Sequence, residues 1–138
     1  MTDTHHVLVP IRYPLTAQST QTLANAEEIA NDYDDARLII FHVNLFQYNE
    51  NVRSVEIYQA VQPILDDVKF TVTSQQGFLV EEIILEEAKQ LDVDAIVVGE
   101  KQNPVWRRIL NRLLRNEPDI ALFLQENTGS DIEVMAVR

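Results

Sequence analysis

Short apolar runs alternate along this chain with stretches in which apolar residues recur every three or four positions. A bounded run of four to eight apolar residues reads as a buried strand, and the longer spacing reads as a helix with one buried face. Val7-Leu8-Val9-Pro10-Ile11 is the first such run. Gln18 to Asp32 follows as a helix, with Leu23, Ala26, Glu27 and Ala30 at helical spacing and Ser19 or Thr20 as its cap. Arg37 to Val43 is nearly continuously apolar, as parallel strands covered on both faces are. Val52 to Leu65 reads as a helix with Val55, Tyr58, Val61 and Leu65 on one face, and Pro63 disturbs its end. Val68 to Thr73 alternates like a less protected strand, and Gly77 then punctuates the chain. Phe78 to Leu91 is the clearest helix, with Val80, Ile83, Ile84, Ala88 and Leu91 inward and its glutamates outward.

Asp94 to Val98 is the fourth strand signal, and Val105 to Asn116 reads as another helix. Asp119 to Thr128 fits either periodicity. Helix is favoured, because Pro118 suits a first turn and Gly129 a C-terminal cap. Ile132 to Val137 closes the chain as a strand. Repeated strand–helix alternation predicts a parallel sheet with right-handed crossovers, and so an α/β, Rossmann-like, three-layer α/β/α fold.

With 138 residues, 46% of them hydrophobic, the chain fits a single domain over 1–138 with a sizeable core. Having no cysteine, it has no disulfide and no thiolate metal ligand. The start of the sequence lacks the basic-then-apolar pattern of a signal peptide, so a cytoplasmic protein is expected. Net charge is −11, with Lys69, Lys89 and Lys101 the only lysines. Such acidity opposes nonspecific binding to nucleic acid or to an anionic membrane. Acid pairs recur (Glu27-Glu28, Asp34-Asp35, Asp66-Asp67, Glu81-Glu82, Glu86-Glu87), and most are expected on solvated helix faces. Many carboxylates with few lysines is the surface of a protein kept soluble in very high salt, so a halophilic origin is expected.

One segment breaks the acidic pattern. Lys101, Arg107, Arg108, Arg112 and Arg115 are five of the eleven basic residues, and Glu100 is the only acid among them. The segment follows the fourth strand, where open α/β sheets place their ligand loops. A nucleotide loop there would be rich in glycine, so that backbone N–H groups reach phosphate. Here Gly99 is the one glycine.

These residues resemble a family, the universal stress proteins. Val7-Leu8-Val9-Pro10-Ile11 is similar to its opening strand and turn, and Phe41-His42-Val43 to the end of its second strand. Val80 to Gly99, closing on Val93-Asp94-Ala95-Ile96-Val97-Val98-Gly99, resembles its amphipathic helix and fourth strand, and Trp106 falls where many members carry tryptophan. The resemblance implies a five-stranded parallel sheet of order 3-2-1-4-5 and a homodimer through the C-terminal strand.

The resemblance also implies where nucleotide would sit: Pro10, Ile11 and Arg12 after the first strand, Val43 in the second, and Gly99, Gln102, Arg112 and Leu113 in the loop. ATP-binding members carry Gly, two residues, Gly, nine residues, then Gly-Ser or Gly-Thr. Only Gly99 matches; Gln102, Arg112 and Leu113 occupy the other places, and Arg12 stands where those members have an acid. Without those glycines the backbone approaches phosphate less closely.

The expected function is therefore a non-catalytic, stress-linked binding or interaction module without ATP. It has no cofactor and no catalytic or metal-binding residues, and its partner is a second copy or a protein such as a transporter. The alternative is a nucleotide- or anion-binding protein, even a slow ATP hydrolase, in which arginines replace the glycine loop and take ATP or another phosphate-bearing anion. The arginines equally fit a helix face paired with the chain's own carboxylates, and that reading is preferred. His5 and His6 are read as surface or tautomer-satisfied histidines rather than metal ligands, and His42 as a core or strand-end histidine. Phe46, Tyr48 and Tyr58 are read as packing under a loop rather than lining a pocket. No serine, histidine and aspartate form a nucleophile arrangement.

Overall fold

The computed structural model describes residues 4–99, 120–128 and 132–137. In chain order these form β1 (His5–Pro10), α1 (Ala17–Asn31), β2 (Ala36–Leu45), a 3-10 turn (Phe46–Tyr48), α2 (Ser54–Val61), β3 (Lys69–Gly77), α3 (Val80–Gln90), β4 (Ala95–Gly99), α4 (Ile120–Asn127) and β5 (Glu133–Val137). The strands make one sheet of order β3-β2-β1-β4-β5, and every neighbouring pair is parallel. This is an α/β Rossmann-like fold with the strand order that the resemblance implied. The predicted helix over Val105 to Asn116 lies outside the described residues.

Side chains alternate across a strand, so each strand feeds two cores. Val7, Val9, Leu38, Ile40, Ala95 and Val97 face one way and pack with Leu23, Ala26 and Ala30 of α1 and Ile57 and Val61 of α2. Leu8, Ile39, Phe41, Val43, Ile96 and Val98 face the other way, against Val80, Ile84 and Ala88 of α3 and Leu124 of α4. Val9, Ile40 and Val97, on the three central strands, are fully inaccessible. Burial on both faces is why these strands read as continuous apolar runs.

Local competition moved several boundaries. Thr16, not Ser19 or Thr20, caps α1: its Oγ1 accepts from the Ser19 N–H at 3.0 Å. α2 is shorter than predicted, because the Asn44 side chain binds both backbone groups of Val52 and keeps that residue out of the helix. Its inward face is Ile57 and Val61, with Leu65 just beyond, whereas Val55 and Tyr58 are exposed. β3 runs past Thr73 to Gly77, because β2 continues beside it in register to Leu45. In α3, Leu91 is exposed, while Glu81 and Glu87, expected outward, are buried. The ambiguous segment before β5 is helical, as favoured.

Candidate functional site

Strands added to opposite sides of β1 leave a crevice at the carboxyl ends of β1 and β4, where such sheets bind ligands. The chain leaves β1 still tied to β2, since the Ile11 N–H donates to the Phe41 carbonyl at 2.9 Å. Arg12 emerges next, at the carboxyl edge. Its guanidinium forms a two-pronged pair with Glu50, Nη1 to Oε1 at 3.1 Å and Nη2 to Oε2 at 2.7 Å. The two side chains are only 12% and 15% exposed.

The turn after β2 delivers Glu50. Asn49 adopts the left-handed conformation at φ 52° and its N–H donates to the Phe46 carbonyl. Asparagine visits that region at lower cost than most residues. The chain doubles back, the Glu50 N–H donates to the Leu45 carbonyl, and Glu50 Oε1 accepts from the Leu45 N–H at 2.8 Å. Burial alone would push the Glu50 carboxyl up. Hydrogen bonds from Arg12 and the Leu45 N–H, with the Arg12 charge, outweigh it and hold the carboxyl below its ordinary range.

His42 lies beside this pair, wholly buried on β2, with neither ring nitrogen hydrogen-bonded. Burial, then the Arg12 charge, pull its pKa down from 6.5 to about 4, against the opposing influence of Glu50. At neutral pH it is an uncharged imidazole. The cluster thus holds one cation, one anion and a neutral ring. Among the described residues it contains no nucleophile, and the arginine fork is already engaged by carboxylate.

A second concavity opens on the other side of β2, between the carboxyl ends of β2 and β3 and the start of α2, with a volume of about 600 Å³. Asn44, Phe46, Arg53, Ser54, Ser74 and Gln76 are among the residues lining it. Phe46, Tyr48 and Tyr58 are each at least 40% exposed, contrary to the expectation that they pack under a loop. Phe46 leans on Phe78 and Tyr58 on Phe70, with ring centroids 4.9 and 5.0 Å apart.

No protein-family model and no curated protein matches the sequence. Solved structures do match. The universal stress protein UspA from Lactobacillus plantarum superposes with a TM-score of 0.72 at 16% identity, over 97% of both chains. The fold is that of the universal stress proteins. A universal stress protein in complex with cAMP superposes at 0.63 with 19% identity, over 97% of this chain and 98% of that one. A universal stress protein from Archaeoglobus fulgidus DSM 4304 superposes at 0.63 with 15% identity, over 95% of this chain and 43% of its own length.

On this universal stress protein fold the residues singled out from the sequence separate into three groups. Pro10, Ile11 and Arg12 follow one another at the carboxyl end of β1, and Gly99 ends β4 at the same edge. Pro10 and Ile11 are buried, with Ile11 packed on the α1 and α2 side. Val43 is 1% exposed and belongs to the opposite core, under α3. Gln102, Arg112 and Leu113, with Lys101, Arg107, Arg108 and Arg115, lie outside the described residues.

Sequence reasoning missed Glu50 and Asn44. Nothing near Glu50 marks it, since it is one of 22 acids. Only the turn geometry brings it to Arg12. His5 stacks on Tyr33 at 3.8 Å, and the His6 N–H donates to Asp94 Oδ2 at 2.9 Å, so both histidines take part in joining β1 to its surroundings.

Proposed function

We propose that this chain is a non-catalytic, stress-linked binding and interaction module that has lost ATP binding. The Arg12–Glu50 pair carries this reading. At the crevice mouth, where a phosphate would need a free cation, the arginine is neutralised by a carboxylate fixed by the Leu45 N–H. A triphosphate would have to displace Glu50 or lie against its negative charge, on a chain of net charge −11. The same proposal makes the protein a cytoplasmic homodimer joined through β5. No described helix is long and apolar enough to cross a membrane.

Calorimetric titration of nucleotide-free protein with ATP in about 1 M potassium chloride, where the Debye length is near 3 Å, tests the reading. Binding no tighter than about 1 mM is expected. Glu50→Gln, which removes the carboxylate charge beside Arg12, should strengthen binding. Micromolar binding by the unaltered protein, weakened by Arg12→Ala, would instead establish the second reading. That second reading is a phosphate-bearing ligand held by arginines, and the neighbour in complex with cAMP favours it. Cyclic AMP therefore belongs in the same titration series.

A further inference from the structure

The cleft between α2 and the carboxyl ends of β2 and β3 is separate from the crevice at β1 and β4, and it is built rather than incidental. Its volume of about 600 Å³ falls within the range that small-molecule sites occupy. Asn44, only 5% exposed, fixes one wall: its amide donates to the Val52 carbonyl at 3.1 Å and accepts from the Val52 N–H at 2.9 Å. The Gln47 side chain donates to the Phe78 carbonyl at 2.9 Å and ties the Phe46 turn to the end of β3. The walls are held before any ligand arrives.

The chemistry inside is unusual for so acidic a chain. Ser54 from α2 and Ser74 from β3 face each other with hydroxyl oxygens 3.5 Å apart. That distance is the outer limit of a hydrogen bond, so each hydroxyl keeps capacity for a further partner. Gln76 adds an amide that donates and accepts. Arg53 stands at the lip, exposed, and its guanidinium makes no ion pair with any described residue, although acids outnumber bases 22 to 11. Of the two acids three residues away, Glu50 is paired with Arg12 and Glu56 accepts from the Arg53 backbone N–H. Phe46, 49% exposed, offers an aromatic surface beside these groups.

We infer that this cleft is a binding site for a small hydroxylated organic anion with a single carboxylate or phosphate group. One guanidinium matches one anionic group, gripped by its planar fork. A polyphosphate would bring more charge than one arginine offsets on this surface. The hydroxyls and amides require hydrogen-bonding partners along the ligand body, because an apolar ligand would bury them unsatisfied. The Phe46 ring suits the C–H face of a sugar-like ring.

The test is calorimetric titration of the full chain with glucuronate, glucose 6-phosphate and glucose, repeated with Arg53→Gln and Ser74→Ala. One of the two anions should bind at about 1 mM or tighter, and the preferred one identifies the head group. Glucose should bind about tenfold more weakly or worse, and Arg53→Gln should cost about tenfold with circular dichroism and melting unchanged. Ser74→Ala should weaken binding without altering the preference. The inference is overturned if neither anion binds, if glucose binds as well as they do, or if Arg53→Gln binds unchanged. A companion titration with ATP should be indifferent to Arg53→Gln, which separates this site from the nucleotide question.

Discussion

Arg12 and Glu50 show how one residue's identity can redirect a site. The pair is nearly closed to water and doubly hydrogen-bonded, so its two halves depend on each other. Removing one partner leaves an uncompensated, largely buried charge. Glu50→Ala should therefore lower stability by about 3 kcal/mol, read as a shift in the urea midpoint with the slope unchanged. His42 adds an acid-side liability. The unfolded chain protonates it near 6.5 and the folded chain only near 4. Its contribution to stability is thus complete above pH 6.5 and is lost as pH falls towards 4. About 3 kcal/mol should disappear across that interval. The Glu50 carboxyl, held low in the fold, adds a further loss at more acid pH, as it protonates. Urea melts at pH 7, 5.5 and 4.5 would record this slope, and His42→Leu should flatten it. Because neither imidazole nitrogen is bonded, that change should be close to neutral at pH 7.

At the scale of elements, what could be read in advance follows from what decides each element. The strands of the central sheet were legible because burial on both faces leaves only apolar residues, as in Ile39-Ile40-Phe41. The tail of β3 was not, since Ser74, Gln75 and Gln76 look like loop and are held as strand only by the ladder to β2. The glutamates of α3 misled for a related reason. Glu82 and Glu86 are exposed as a surface pattern requires, but their neighbours Glu81 and Glu87 turn inward. Burial raises the Glu81 carboxyl above its ordinary value. Of the candidate site, the strand signals locate Arg12 just after β1 and Gly99 at the end of β4, but Glu50 depends on a left-handed turn that no spacing reveals. Asp92 shows the same limit at the end of α3. It takes φ 52° while the Val93 N–H reaches the Ala88 carbonyl and the Asp92 N–H the Lys89 carbonyl. This is the helix ending that glycine normally supplies. Asp92→Gly should raise stability by about 1 kcal/mol, seen as a higher melting temperature with an unchanged circular dichroism spectrum.

At the scale of the molecule, charge and sheet edges act together. β5 pairs with β4 and ends the sheet on that side. An edge strand of this kind is a template for pairing with an identical strand across a two-fold axis. Val134 and Met135 pack on opposite cores, whereas Ala136 is exposed. Two copies at −11 each repel, and the repulsion is screened within about 3 Å at 1 M salt. Self-association through β5 should therefore strengthen with ionic strength, and Ala136→Lys should weaken it. Sedimentation at low and high salt checks both; a monomer throughout, or a dimer indifferent to the lysine, would rule this interface out.

The position of β1 at the middle of the sheet also fixes the order in which a nascent chain can complete itself. As the chain is synthesised, β1, β2 and β3 are all available before β4 exists. The bond from the His6 N–H to Asp94 spans 88 residues, so one side of β1 has no neighbour until most of the chain has emerged. Such distant closure is slow, because loop entropy is lost before the contacts that offset it form. Throughout that interval Val7, Leu8 and Val9 form an apolar strand with one bare edge, the kind of surface on which unfinished chains aggregate. A protein with this strand order gains most from chaperone protection before β4 is made.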